Sequence, residues 1–244
     1  MRYGVFSDVH GNYEALKAVL EFYRKNAVTD FVCCGDVVGY GPQPQECADA
    51  LRSLEKLHIV MGNHDAALAG KMETRWFNAN AAWAIEFSRK VMSGQALAYV
   101  AALPERAETP DFTVVHGSPR KPLTEYMLSE GQFSDNLKGW SVSPCFVGHS
   151  HMPQYFREGP AGIPETDFLK PAVRVSAAHG KVMINPGSVG QPRDGDPRAA
   201  CGIYDSGTKN FELYRVFYDV EKVQRMMEGL GMPALLAGRL SFGF

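Results

Sequence analysis

The chain has 244 residues, a formal charge of −2 and a sequence pI of about 6.4. That balance argues against a broad nucleic-acid footprint or a polybasic membrane anchor, while still allowing one basic pocket. With 45% hydrophobic and 21% charged residues the composition is that of an ordinary globular protein, and a chain of this length buries enough surface to hold a core without a disulfide or an oligomer.

The five cysteines (Cys33, Cys34, Cys47, Cys145, Cys201) are odd in number and form no C-x-x-C pair. Cys33 and Cys145 sit in apolar runs and read as small core residues, which fits a reducing compartment. The sequence opens on a strand-like run, Met1 to Phe6, without the pattern of a signal peptide, and no apolar run is long enough to span a membrane. The cytoplasm is the expected location, and no membrane partner is expected.

In chain order, Tyr3 to Ser7 predicts a strand. Asn12 is placed to cap a helix that carries Leu16, Val19, Leu20 and Tyr23 on one face. Phe31 to Cys34 predicts a second strand, Glu46 to Leu54 a helix entered through Pro42 and Pro44, and His58 to Met61 a third strand. This βαβαβ rhythm implies parallel strands joined by helical crossovers.

Residues 65 to 103 are Ala-rich, with Trp76, Phe77, Trp83, Ile85, Phe87 and Val91 at helical spacing, and predict an insertion of two or three helices. Strands then dominate: Phe112 to Val115, Pro144 to Val147, Val173 to Ser176, Val182 to Asn185, Ala199 to Tyr204 and Phe211 to Val216. The last quarter is expected to form a second, mostly antiparallel sheet facing the first. Short helices over residues 220 to 240 close what reads as one domain, with no repeat and no linker.

Five polar clusters each follow an apolar strand: Asp8-Val9-His10, Gly35-Asp36, Gly62-Asn63-His64-Asp65, His116-Gly117 and Gly148-His149-Ser150-His151. Ligands of open α/β sheets bind beyond the carboxyl ends of the strands, so these clusters should meet at one sheet edge. Two carboxylates, four imidazoles and an amide oxygen form a mixed N/O set without thiolates, suited to Mn²⁺, Fe, Zn²⁺ or Ni²⁺. The set exceeds what one tetrahedral ion takes and suits two divalent ions, Mn²⁺ foremost, sharing a bridging carboxylate. Such a pair clamps the attacking and leaving oxygens of a phosphoryl displacement, with a deprotonated bridging water as nucleophile.

The order D-x-H, G-D, G-N-H-D, H-G, G-H-x-H resembles the signature of calcineurin-like metallophosphoesterases over about residues 1 to 205. The resemblance implies an α/β fold of four layers, α/β/β/α, with two mixed β-sheets flanked by helices. It implies that Asp8, His10 and His151 hold one ion, that Asn63, His116 and His149 hold the second, and that Asp36 bridges. His64 would protonate the leaving oxygen, with Asp65 orienting its imidazole. Protein Ser/Thr phosphatases of this superfamily carry an Asp-Arg pair that is absent from Gly35 to Gly41, and a glutamate where Asp65 stands here. Gly39-Tyr40-Gly41-Pro42 and Asn185-Pro186-Gly187-Ser188-Val189-Gly190 resemble instead a bacterial and archaeal branch of small phosphodiesterase-like members. Some relatives in that branch cleave dinucleoside polyphosphates.

The expected function is therefore hydrolysis of a phosphodiester or phosphoanhydride bond in a small, nucleotide-like substrate. A phosphomonoesterase, including a protein phosphatase, is the alternative. A non-catalytic scaffold of the same fold would typically have lost ligands or the acid histidine, and both are present. Tyr40, Arg120, Arg193 and Arg198 are candidate phosphate contacts, since an anionic substrate needs charge-assisted donors beyond the metals. Trp76, Phe77, Trp83 and Phe87 read first as helix core and second as a substrate wall. Gly187-Ser188 reads as backbone support for the site, and His58 and His179 as ordinary strand-edge and loop residues.

Overall fold

Alternation along the first strand sets the layering. In the computed structural model, which describes residues 1–244, Tyr3 and Val5 face an apolar layer shared with Phe112, Val114 and Phe146, while Phe6 faces Leu16, Val19 and Tyr23. The chain runs β1 (Arg2–Phe6), α1 (Tyr13–Lys25), β2 (Asp30–Cys33), α2 (Pro44–Arg52) and β3 (Leu57–Ile59). The predicted cap is in place, with Asn12 Oδ1 accepting from Ala15 N at 3.1 Å. Three helices follow: α3 (Asn63–Leu68), α4 (Ala79–Val91) and α5 (Gly94–Ala101).

The middle of the chain supplies β4 (Arg106–Glu108), β5 (Thr113–Val115), α6 (Glu130–Asn136), β6 (Cys145–Phe146), β7 (Pro153–Glu158), β8 (Pro164–Phe168), β9 (Arg174–Ser176) and β10 (Val182–Pro186). Next come β11 (Ala199–Asp205), β12 (Asn210–Val216), α7 (Val220–Gly229) and α8 (Ala234–Gly238). One six-stranded sheet has the order β3-β2-β1-β11-β12-β9 and the other β4-β5-β6-β10-β7-β8. Both are mixed, and they face each other with α1, α2 and α5 outside the first and α6 outside the second. No helix is long and apolar enough to cross a membrane.

The second sheet is not the last quarter of the chain, as the strand-rich tail suggested. β11 returns antiparallel beside β1, pairing Arg2 with Asp205 and Val5 with Gly202, and β12 and β9 continue that first sheet. The facing sheet comes from residues 106 to 186, including three strands the pattern did not show. For β4 and β8 the reason is visible in their burial: both are partly exposed edge strands, and β8 reads Pro-Glu-Thr-Asp-Phe, with no apolar alternation.

Candidate metal centre

Within each sheet the strands that matter run parallel: β1, β2 and β3 in one, β5, β6 and β10 in the other. Their carboxyl ends share one edge, and every polar cluster of the sequence lies in a loop leaving it or, for Asn63, His64 and Asp65, in the first turn of α3. Those loops bend through backbone that side chains rarely adopt: Asp8, His10, Asp36, His149 and His151 have φ of 53°, 48°, 53°, 68° and 61°. Each such residue costs about 1 kcal/mol or more and persists only where its surroundings fix it. Here they do. Asp8 N and His10 N donate to Gly35 O and Asp36 O at 3.0 and 2.9 Å, and Asn185 Nδ2 donates to Gly148 O and Ser150 Oγ at 2.6 and 2.9 Å. Ser188 Oγ donates to Asp8 O at 2.8 Å, so Ser188 is bonded into the loop scaffold.

The imidazoles are held in one tautomer. His10, His116 and His151 donate through Nδ1 to the carbonyls of Val38, Cys34 and Gln191, at 3.0, 2.8 and 2.6 Å. A carbonyl only accepts, so Nδ1 carries the proton and Nε2 turns its lone pair inward. His10 Nε2 then faces His151 Nε2 at 3.0 Å, and His116 Nε2 faces Asn63 Oδ1 at 3.0 Å and His149 Nδ1 at 3.2 Å. Lone pairs converging this closely repel unless a cation lies among them. Protonating the rings is not the answer, because burial lowers His10 and His151 well below the usual imidazole range and His149 to about 2.

The carboxylates complete the argument. Asp8 Oδ1 lies 3.3 Å from His151 Nε2 and 3.8 Å from His10 Nε2. Asp36 Oδ2 lies 3.5 Å from His10 Nε2 and 3.4 Å from His116 Nε2, while its Oδ1 accepts from His64 N at 2.9 Å. Burial pushes the Asp8 carboxyl up to about 7 and, with the Asp65 carboxylate nearby, raises Asp36 as well. Two buried carboxylates and inward-facing lone pairs are a donor set that divalent cations fit. The potential ligand atoms fall into three overlapping groups, Asp8 with His10 and His151, His10 with Asp36 and His64, and Asp36 with His116 and His149, the atoms of each within 4.8 Å of one another.

His64 belongs to the group that links the other two, but Asp65 does not orient it. The Asp65 carboxylate accepts from Val37 N at 3.0 Å, Val38 N at 3.2 Å and Gly62 N at 3.0 Å, so it pins the loop after β2 to the start of α3. A side chain one residue along a helix points away from its neighbour, which is why adjacency misled the sequence reading. His64 Nδ1 is buried with no hydrogen-bond partner. Packing holds the ring instead: Phe77 meets it edge-on at 5.0 Å, Tyr40 lies 4.6 Å away, and a Cβ on Gly39 would come within 2.3 Å of Nδ1.

A cleft of about 350 Å³ opens onto the centre, lined by Asp36, Asn63, His64, His149 and His151. Tyr40 and Arg193 line it too, with the Arg193 guanidinium 5.7 Å from the Tyr40 ring centre. Arg193 has no carboxylate partner. Its Nη2 donates to Gln191 Oε1 at 3.1 Å and its buried Nε has no partner. Arg120 and Arg198 lie elsewhere. Arg120 bonds Glu125 and Asp135, and Arg198 is bidentate to Asp196 beside Phe217. Distance along the chain from His116 could not show that a nearer carboxylate had taken the guanidinium.

Arg120→Ala is therefore expected to leave kcat/KM within twofold and to lower stability. Hydrogen bonds from Arg120 hold Glu125 down at about 2, below the ordinary 4.5, so this contribution is complete above pH 4.5 and lost as pH falls toward 2. Urea denaturation should show a wider gap between wild type and variant at pH 7 than at pH 3. An equal gap at both pH values would contradict the linkage.

The aromatic set divides. Trp76 and Phe77 line the cleft, whereas Trp83 and Phe87 stack on each other at 5.4 Å and pack toward α7 and α8. Tyr126, absent from the candidates named above, lies against His149 with ring centres 3.8 Å apart and an interplanar angle of 21°. No motif marks it, because it reaches the site from a loop of irregular structure.

Comparison with known proteins adds an independent line. The model of the calcineurin-like phosphoesterase superfamily domain matches residues 1–208. An uncharacterised protein of Methanocaldococcus jannaschii is 35% identical over 98% of this chain and 97% of its own length. The crystal structure of a metallophosphoesterase from Sphaerobacter thermophilus superposes with a TM-score of 0.90 at 38% identity, covering 100% of this chain and 99% of that one. A symmetrical bis(5'-nucleosyl)-tetraphosphatase of Buchnera aphidicola is 41% identical over 64 residues only, 25% of this chain and 23% of its own.

Proposed function

The chain belongs to the calcineurin-like phosphoesterase superfamily and is a metallophosphoesterase; from that premise we propose that it hydrolyses phosphodiester or phosphoanhydride bonds of a small nucleotide-like substrate at a dinuclear centre, working as one phosphoesterase unit in the cytoplasm. The observation that carries the dinuclear reading is Asp36 Oδ2, set between His10 Nε2 and His116 Nε2 at 3.5 and 3.4 Å. A carboxylate oxygen shared by two ligand groups is what a bridging ligand requires. Asp8, His10 and His151 would hold one ion, and Asn63, His116 and His149 the other. Two divalent ions, Mn²⁺ foremost, would supply Lewis acidity at the phosphoryl oxygens and lower the pKa of the attacking water.

The chain's own groups do the rest. Arg193, without a carboxylate partner and beside Tyr40, is placed to hold a phosphoryl oxygen. His64 is the proton donor to the leaving oxygen. Burial, with a smaller contribution from His116, lowers His64 to about 3, so the ring is neutral until an anionic substrate arrives beside it. A cleft of about 350 Å³ is at the small end of small-molecule sites and favours such a substrate over a folded phosphoprotein. The short likeness to a symmetrical dinucleoside tetraphosphatase supports a phosphoanhydride of that kind.

The test is hydrolysis, with Mn²⁺ added, of bis-p-nitrophenyl phosphate, p-nitrophenyl phosphate and diadenosine tetraphosphate. Turnover of the diester or the tetraphosphate at least tenfold above the monoester is expected. Turnover of the monoester alone would make the protein a phosphomonoesterase, and silence on all three with metal bound would make it a scaffold.

A further inference from the structure

Beyond the ligands, the cleft has walls that hydrolysis of a phosphate bond does not itself require. Trp76 and Phe77, in the segment between α3 and α4, and Tyr126, in the loop after β5, line it. Trp76 is 75% exposed and Tyr126 43% exposed, although both open onto a cleft whose polar residues Asp36, His64 and His151 are buried. Large aromatic rings left in water forgo substantial burial, and when they gather at one cleft they mark a surface that something apolar covers. The wall is continuous with the chemistry, because Phe77 meets His64 edge-on at 5.0 Å and Tyr126 lies flat on His149 at 3.8 Å.

We propose that Trp76 and Tyr126 form a stacking subsite for the base of a nucleotide whose phosphate is held at the metal centre and Arg193. The inference rests on the phosphoesterase reading above and adds where the specificity comes from. Every base has a π-face, so two aromatic surfaces take a planar ring without demanding one base. Asn78 supplies a polar contact beside them: its Oδ1 caps α4 by accepting from Ala81 N at 3.0 Å, which leaves its amide Nδ2 to donate to a ring nitrogen or carbonyl. The Arg75 guanidinium lies 5.2 Å from the Trp76 ring centre and is paired with Glu73, so it packs beside the ring without adding unpaired charge. With about 350 Å³ available, the cleft takes one nucleotide unit and leaves the remainder of a dinucleotide outside.

The experiment compares wild type, Trp76→Ala, Trp76→Phe and Tyr126→Ala, each loaded with Mn²⁺, on diadenosine tetraphosphate and on inorganic tripolyphosphate, which has the same bond and no base. The ratio of kcat/KM for the nucleotide to that for tripolyphosphate should fall about tenfold or more in each alanine variant, through KM, as loss of one base stack implies. Trp76→Phe should recover most of it. An unchanged ratio, with both substrates affected equally or not at all, overturns the subsite. Should wild type cleave neither compound, the failure belongs to the choice of scissile bond, and calorimetry still decides the subsite. Binding of AMP about tenfold weaker in Trp76→Ala than in wild type, relative to inorganic phosphate, supports it, and equal binding overturns it.

Discussion

Asp36→Asn should cost the protein both its bound metal and its turnover. Asp36 Oδ1 is occupied by His64 N, so only Oδ2 reaches the His10 and His116 nitrogens. An amide in its place offers one neutral oxygen at best, and a neutral oxygen does not bridge two cations. Removing partners that only support metal ligands costs about 10- to 100-fold in affinity or activity. Loss of the bridging carboxylate should exceed that, with kcat on bis-p-nitrophenyl phosphate down by about 10³-fold or more, the upper range for one essential electrostatic contact. Elemental analysis after dialysis should find clearly less metal than in wild type. Misfolding can be separated from this outcome. Burial raises the Asp36 carboxyl in the metal-free protein, so replacing it with a neutral amide relieves an uncompensated buried charge. The metal-free variant should melt at or above the metal-free wild type. Full metal content with kcat within tenfold of wild type would sink the bridging role.

Why the site was so legible in the sequence, and the sheet assignment less so, comes down to where information is stored. A ligand set at the ends of parallel strands is written locally: each cluster needs its own strand, its own turn and its own polar residue, and Asp8, Asp36 and His116 all show this. Sheet membership is written between distant segments. That β11 pairs with β1 follows from Gly202 facing Val5 and Ile203 facing Gly4, matches that no local period records. The edge strand β8 was missed because none of its residues is buried, so hydrophobic alternation had nothing to report. The candidate substrate contacts divide in the same way. Arg193 lies in the polar loop after Asn185-Pro186-Gly187-Ser188 and was within reach of a sequence argument. Tyr126 depends on a loop conformation, and Arg120 on a competing Glu125 that only the folded chain brings near.

His64→Ala should separate the two halves of the reaction, and the structure says how. If His64 gives its proton to the departing oxygen, its loss matters in proportion to how badly that oxygen needs one. Turnover of a nucleotide ester with an alcohol leaving group should fall about 10²- to 10⁴-fold, the range for a positioned general acid. Turnover of bis-p-nitrophenyl phosphate, whose phenolate leaves unaided, should fall by less than about tenfold, with metal content unchanged. Gly39→Ala gives the same question a gentler form. Its φ of +92° already disfavours a side chain, and the added carbon would lie within 2.3 Å of His64 Nδ1. Since Nδ1 has no hydrogen bond to hold the ring against that push, His64 must turn away from the cleft or the loop after β2 must shift. Asp65, bonded to Val37 and Val38 in that loop, resists the second course. The ring should therefore move, and Gly39→Ala should show the same leaving-group dependence as His64→Ala at smaller amplitude. A uniform loss on all substrates in both variants would mean that His64 supports the metal centre and transfers no proton.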